Sequence, residues 1–276
     1  MDKVVSKEQV QGFIGEIRDL RQGFVTNFFW NDQKHPYWVR EGNLFFEKTN
    51  NCIIFLHQNE KFDNLFYIAT DIPSVAEAIS KLSLGKDSVI DLVCKDGGER
   101  EKMTLTAIGF EPYKNLFRMS HLGLLAKAAE WAVSPDVTLG QQEDALLVYD
   151  TLQKGFDPLC EQLPSMQEVK DYILRKQLLV VKEAGLLCGF LVSEIAGKTS
   201  WYLRYWYTSP SYRDKGIGSK LLKAALSNSK DSKRQQLWVI SDNENAIRRY
   251  EYYGFKREAI SDYVMIKRIK DERKDC

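Results

Sequence analysis

The chain has 276 residues, 44% of them hydrophobic and 28% charged; these are globular proportions, which exclude a disordered or fibrous chain, and the length suits about two domains. Thirty-nine basic against thirty-eight acidic residues leave a net charge of +1. No global field therefore draws the molecule onto nucleic acid or an acidic membrane, and any anion it binds must be caught by a local arrangement.

Met1–Lys7 has no apolar signal core, and no window approaches the roughly 18 apolar residues of a membrane span. The five cysteines, Cys52, Cys94, Cys160, Cys188 and Cys276, show no CxxC spacing, and the histidines, His35, His57 and His121, are scattered without HExxH. Packing or surface roles are expected for them, with no disulfide framework and no metal site. A reduced, cytoplasmic protein is expected, with neither nucleic acid nor membrane as partner.

In chain order, the first half reads as strands around one helix. Cys52–Leu56 and Leu65–Ala69 are short runs rich in β-branched and aromatic residues, which suit strands. Asp71-Ile72-Pro73-Ser74 ends the second run and opens a helix, with Ser74 as the expected N-cap and Val75, Ala76, Ile79 and Leu82 at helical spacing. Val89–Cys94 is a third strand. Leu122–Val133 reads as an amphipathic helix, and Ser134-Pro135-Asp136 with Gly140 breaks regular structure. The expected division is a first domain over 1–122, a linker over 123–142 and a second domain over 143–276.

The second half is more regular. Asp144–Leu152 reads as a helix. Ser165 with Glu168 forms a capping box opening another. Leu178–Lys182 and Leu186–Ser193 pair as a hairpin through Ala184-Gly185. Trp201–Thr208 is an aromatic strand, followed by a helix over 217–227, a strand over 237–240, a helix over 245–253 and a last strand over 263–269. This order implies a mixed sheet with helices packed on it.

Two segments carry chemistry. In Trp206-Tyr207-Thr208-Ser209-Pro210-Ser211-Tyr212-Arg213-Asp214-Lys215-Gly216-Ile217-Gly218-Ser219 a strand ends, basic residues follow and two glycines open a helix. Glycines let backbone N–H groups approach a bulky anion, and the helix start adds unpaired donors and partial positive charge, so the segment predicts a phosphate cradle. The dinucleotide fingerprint and the P-loop both fit poorly: Leu221 stands where the former needs glycine, and Arg213 and Ser219 where the latter needs Gly and Lys. The second segment is Asn243-Glu244-Asn245-Ala246-Ile247-Arg248-Arg249-Tyr250-Glu251-Tyr252-Tyr253-Gly254-Phe255. Asn243 is the expected N-cap and Gly254 the terminator. Tyr250 is either a core aromatic or an acid whose phenol stays neutral at pH 7.

Together these segments resemble the GNAT superfamily of acyl-CoA-dependent N-acyltransferases. Arg213, Gly216 and Gly218 match its [Q/R]xxGx[G/A] loop, and Asn243, Ala246, Tyr250, Gly254 and Phe255 match NxxAxxxYxxxGF. The resemblance covers about 143–269. It implies an α/β fold with a mixed central sheet, and acetyl-CoA as co-substrate with no metal. The backbone N–H groups from Arg213 through Asp214, Lys215, Gly216, Ile217 and Gly218 to Ser219 would hold the pyrophosphate. Trp206, Tyr207 and Thr208 would pair with the pantetheine amides. Asn243 would contact the pantetheine arm, Ala246 would be a further cofactor-binding residue, and Tyr250 would protonate the departing thiolate after direct attack by an unidentified amine. The general base is open between Glu194, Asp262 and a water relay, and the aromatic strand serves either an acceptor cleft or sheet packing.

Gly109-Phe110 and Gly254-Phe255 each precede a strand-like stretch with a methionine, and each half has a strand, a proline-containing turn and a helix. The first half is therefore expected to be a smaller α/β domain, a degenerate GNAT-like copy, against the alternative of an unrelated α+β domain. Its turn at Asp71–Ser74 lacks both glycines and any basic residue. The function expected is an acetyl-CoA-dependent N-acetyltransferase; the alternative is a non-catalytic module that binds acyl-CoA as sensor or scaffold.

Overall fold

A computed structural model describes residues 1–95, 97–122, 133–196, 199–229 and 231–269. The helix expected over 122–133 falls outside these residues except at its two ends, as does Cys276. The chain forms two compact units, one of Met1–Leu116 with Ala259–Cys276, the other of Phe117–Glu258.

Unit 1 begins with β1 (Asp2–Lys3), α1 (Lys7–Asp19), β2 (Val25–Thr26), α2 (His35–Glu41), β3 (Leu44–Lys48), β4 (Cys52–Gln58) and β5 (Asp63–Ala69). It continues with α3 (Ile72–Ser80), β6 (Ser88–Lys95), α4 (Glu99–Thr106) and the first half of β7 (Glu111–Leu122). The expected single helix is thus corrected to four among the described residues. Helix α1 was legible: Val10, Phe13 and Ile17 form its buried stripe, a spacing of three and four. Helix α4 buries only Leu105, too little for a periodic signal. Asp71, rather than Ser74, caps α3, its Oδ1 accepting from the Ser74 N–H at 2.8 Å, because Pro73 needs no amide partner inside a first turn.

Strand β4 is buried on both faces. Cys52, Ile54 and Leu56 face α3 and α4, while Ile53 and Phe55 face α1 and α2, which is why its sequence reads as an unbroken apolar run.

Unit 2 holds β8 (Val137–Leu139), α5 (Ala145–Gly155), α6 (Pro158–Glu161), α7 (Met166–Leu174), β9 (Leu178–Glu183) and β10 (Leu186–Ala196). Then come β11 (Ser200–Thr208), α8 (Ile217–Asn228), β12 (Arg234–Ile240) and α9 (Glu244–Tyr252), and the chain leaves along β13 (Lys256–Lys267). The capping box of Ser165 and Glu168 is formed, and Ala184 and Gly185 take positive φ (49° and 81°) in the β9–β10 hairpin. Helices α5 and α7 pack on one face of the sheet and α8 and α9 on the other.

The two units repeat one plan. Unit 1 orders its strands β1-β3-β4-β5-β6, unit 2 β8-β9-β10-β11-β12. In each, the first four are antiparallel neighbours and the last pair is parallel. The next strand in unit 1 is β13, with Ile260–Lys267 antiparallel to Ser88–Lys95; in unit 2 it is β7, beside β12. The junctions expected to match do so: Gly109 and Gly254 both have positive φ, 93° and 86°. The Phe110 N–H donates to the Leu105 carbonyl and the Phe255 N–H to that of Tyr250. Leu105 therefore holds the position in α4 that Tyr250 holds in α9. The first half shows the strand order expected of a copy. The expected boundaries at 122 and 143 follow chain order; the units do not, since β7 and β13 each divide between them.

Candidate active site

Parallel strands β11 and β12 pair only over Ser200–Tyr202 and Arg234–Gln236. Beyond Tyr202, β11 runs on to Thr208 with β10 alone as its paired neighbour among the described residues, so its other edge presents unpaired backbone groups. The register against β10 slips between Val192 and Ser193, leaving Arg204 as the extra residue of a bulge. A bulge bends and re-aims the strand; nothing in the period of the aromatic strand signals it.

At the end of β11, Pro210–Tyr212 form a 3-10 turn, and the chain passes through Arg213 and Asp214 (φ 64°) into α8, with Gly216 as N-cap at φ 74°. The left-handed conformation suits glycine. At Gly218 a Cβ would lie 3.0 Å from Trp206 Cζ2 and 3.1 Å from Thr208 Oγ1. Only glycine lets the first turn of α8 settle onto the end of β11 without displacing them. The first-turn N–H groups have no carbonyl inside the helix, so donors from Ile217, Gly218 and Ser219 stand at the strand end, with exposed Arg213 and Lys215 beside them. The Lys215 ammonium lies 4.6 Å over the Tyr212 ring.

Helix α9 faces this loop. Asn243 caps it, its Oδ1 accepting from the Ala246 N–H at 3.2 Å, which leaves its amide NH2 as a donor. Ala246 is half-buried against the core. Tyr250 is buried, 5.5 Å between ring centroids from Trp206. Burial, with the charge of Glu161 adding, holds its phenol well above the ordinary range. The Ser219 hydroxyl, at the start of α8, acts on the Tyr253 phenol of α9 and partly offsets the rise that burial gives it. Trp206 Nε1 is buried without a partner among the described residues. Tyr207 faces the other side, its ring 5.5 Å from Phe190.

On that other side stand groups the sequence reading did not single out. Tyr205 donates its hydroxyl to the carbonyls of Gln162 (2.9 Å) and Glu161 (3.3 Å). The Glu161 carboxylate accepts from the Asp157 N–H at 2.9 Å, and burial pushes it up to about 7. Asp157-Pro158 opening a four-residue helix is too short a signal to mark a site. Of the base candidates, Glu194 is already engaged: it accepts from the Tyr172 hydroxyl at 2.8 Å and pairs with Arg204 at 3.6 Å. Asp262 belongs to unit 1.

The residues fit an acyl-CoA: a backbone edge, a glycine-opened helix start a Cβ would obstruct, and an orphaned indole N–H. Residues 147–255 match the family model described as Acetyltransferase (GNAT) family, and this segment is a GNAT domain. No curated protein matches the chain by sequence. Among solved structures it resembles a tandem GNAT protein from the clavulanic acid biosynthesis pathway at 11% identity, over 97% of each chain with a TM-score of 0.60. It also resembles a GNAT-family acetyltransferase from Colwellia psychrerythraea at 15% identity, over 97% of this chain and 99% of that one with a TM-score of 0.56. A GCN5-related N-acetyltransferase from Sphaerobacter thermophilus, 11% identical, covers 84% of this chain and 85% of its own with a TM-score of 0.57. At these identities the likeness is one of fold.

Proposed function

We propose that this protein is an acetyl-CoA-dependent N-acetyltransferase whose chemistry resides in the GNAT domain of unit 2. The observation that carries this reading is the unpaired edge of β11 running into the glycine-opened start of α8, with a buried tyrosine on the facing helix. When bound, acetyl-CoA supplies an activated acyl group as a thioester. The β11 edge at Trp206–Thr208 binds the amides of its arm by strand addition. The N–H groups from Arg213 to Ser219 hold its pyrophosphate, with Arg213 and Lys215 adding charge. Asn243 contributes its amide NH2 and Ala246 a small surface beside the arm.

Tyr250 holds its proton throughout the neutral range and delivers it to the leaving sulfur. An alkylammonium near pKa 10.4 must lose a proton before attack. Glu161, electrostatically coupled to Tyr250 and half-ionised near neutrality, is the group we assign to take it. An N–H near Tyr207 or Thr208 polarises the acyl carbonyl.

Calorimetry with acetyl-CoA should show binding that is lost when Gly218 is replaced by tryptophan. With an amine found by screening for thiol release, Tyr250→Phe should keep binding and lower turnover by about 10²-fold or more. Absence of binding to the wild type would defeat the reading; binding without turnover on any amine would favour a sensor.

A further inference from the structure

Unit 1 repeats the splayed pair. Strands β5 and β6 pair only over Asp63–Leu65 and Ser88–Ile90, as β11 and β12 pair only over three residues of each. The edge of β11 past that point is unpaired in unit 2; the corresponding edge of β5 is covered. Strand β2 pairs with it antiparallel, Val25 opposite Ala69 and Thr26 opposite Ile68. Thr26 Oγ1 donates to the Tyr67 carbonyl at 2.7 Å. The Tyr67 N–H donates to Asn27 Oδ1 at 2.7 Å. Asn27 Nδ2 donates to the Leu65 carbonyl at 3.3 Å and, on the opposite strand, to that of Asp91 at 2.8 Å. One side-chain amide thus spans the gap between the diverging strands and answers both as acceptor and donor. Phe28 then anchors the segment, 2% exposed and stacked 4.4 Å from Phe55.

We infer that the cleft of unit 1 is occupied by the chain's own Val25–Phe28, seated where an extended ligand would add to the sheet, and that the molecule carries one acyl-CoA site, in unit 2. The physical reason is direct. Strand addition needs free backbone N–H and carbonyl groups, and here they are satisfied in cis by groups whose effective concentration no free ligand matches. Two further features agree. Asp71 caps the start of α3 and Pro73 has no N–H, so few donors remain for a phosphate. Leu105 stands in the place of Tyr250 and carries no proton to give. Unit 1 thereby keeps the fold's architecture without its ligand.

The count of one rests on the function proposed for unit 2; the filled cleft does not, and two measurements separate them. Titration of the full chain with CoA should give one equivalent, and Gly218→Trp should leave none. Two equivalents, or one surviving in that variant, would overturn the inference. Amide hydrogen exchange on the wild type, without CoA, should show the Tyr67 N–H protected, and Asn27→Leu should speed its exchange at least tenfold. Free exchange at Tyr67 in the wild type would overturn the filled cleft whatever CoA does. Should Asn27→Leu fail to fold, Asn27→Ala, which likewise removes the acceptor for Tyr67 and both donors, should speed the exchange in the same way; Tyr67 protection unaltered by a folded variant of either kind would equally count against the inference. A wild type that binds no CoA would reject the proposed function, while the exchange result still decides the cleft.

Discussion

Burial acts on Tyr250 and Glu161 in the same chemical sense, favouring the protonated form of each, with different consequences at neutral pH. The phenol begins near 10 and is driven further from ionisation, which suits the proposed acid and not a base. The carboxyl is pushed up to about 7, so its base form is lost as pH falls through that value. Turnover should therefore rise with pH through about 7 in the wild type. Glu161→Gln should remove that limb and lower turnover by about 10²-fold or more. An unchanged pH–rate profile in Glu161→Gln would remove it from the role. A second carboxyl tests stability. Asp262 in unit 1, with Oδ1 buried and without a partner among the described residues, is raised well above the ordinary range by burial and then by the charge of Asp91. The folded unit binds that proton more tightly than the unfolded chain. Its stability is thus fully present below the unfolded pKa near 3.9 and is lost as pH rises toward the raised folded value. Asp262→Asn should raise the melting temperature at neutral pH and flatten its fall between acid and neutral pH; a neutral or lower melting temperature at pH 7 would contradict this.

At the scale of elements, the legible parts are those where local chemistry and tertiary demand agree. The Ser165–Glu168 box, the Ala184-Gly185 hairpin and the Gly254 terminator each require particular residue types within three or four positions, and each formed as read. Helix α2, only seven residues with Pro36 in its first turn, leaves no periodic stripe to read. The bulge at Arg204 arises from pairing with β10, so its cause lies outside its own segment. Strand β2 is two residues long and exists because Asn27 and Thr26 find β5. Glu161, the base we propose, gives no local signal for the same reason: a glutamate in a short helix is unremarkable until Tyr205 and the fold enclose it.

At the scale of the molecule, the units interleave along the chain, and this gives a reversed pattern of mutational effects. Met119, early in the chain, is fully buried in the core of unit 2, and Met265, near its end, in that of unit 1. Truncating a buried methionine to alanine costs about 2–5 kcal/mol. Met265→Ala should accelerate hydrogen exchange chiefly within residues 1–116, and Met119→Ala chiefly within 117–258. Effects following chain order instead would refute the division into these units.

The sequence by itself determined the GNAT resemblance, the glycine loop, the tyrosine helix and most of the second half's elements, because these depend on spacing within a few residues. Tertiary structure alone decided which strand completes which sheet, that β11 and β12 part after Tyr202, that Glu161 sits in a raised-pKa environment, and that Asn27 closes the first cleft. Those outcomes depend on groups far apart along the chain: Asn27 and Asp91 are 64 residues apart, and β13 reaches back to β6, with Lys267 opposite Ser88. A contact at that separation follows from how sheets pair and not from any local preference of the chain.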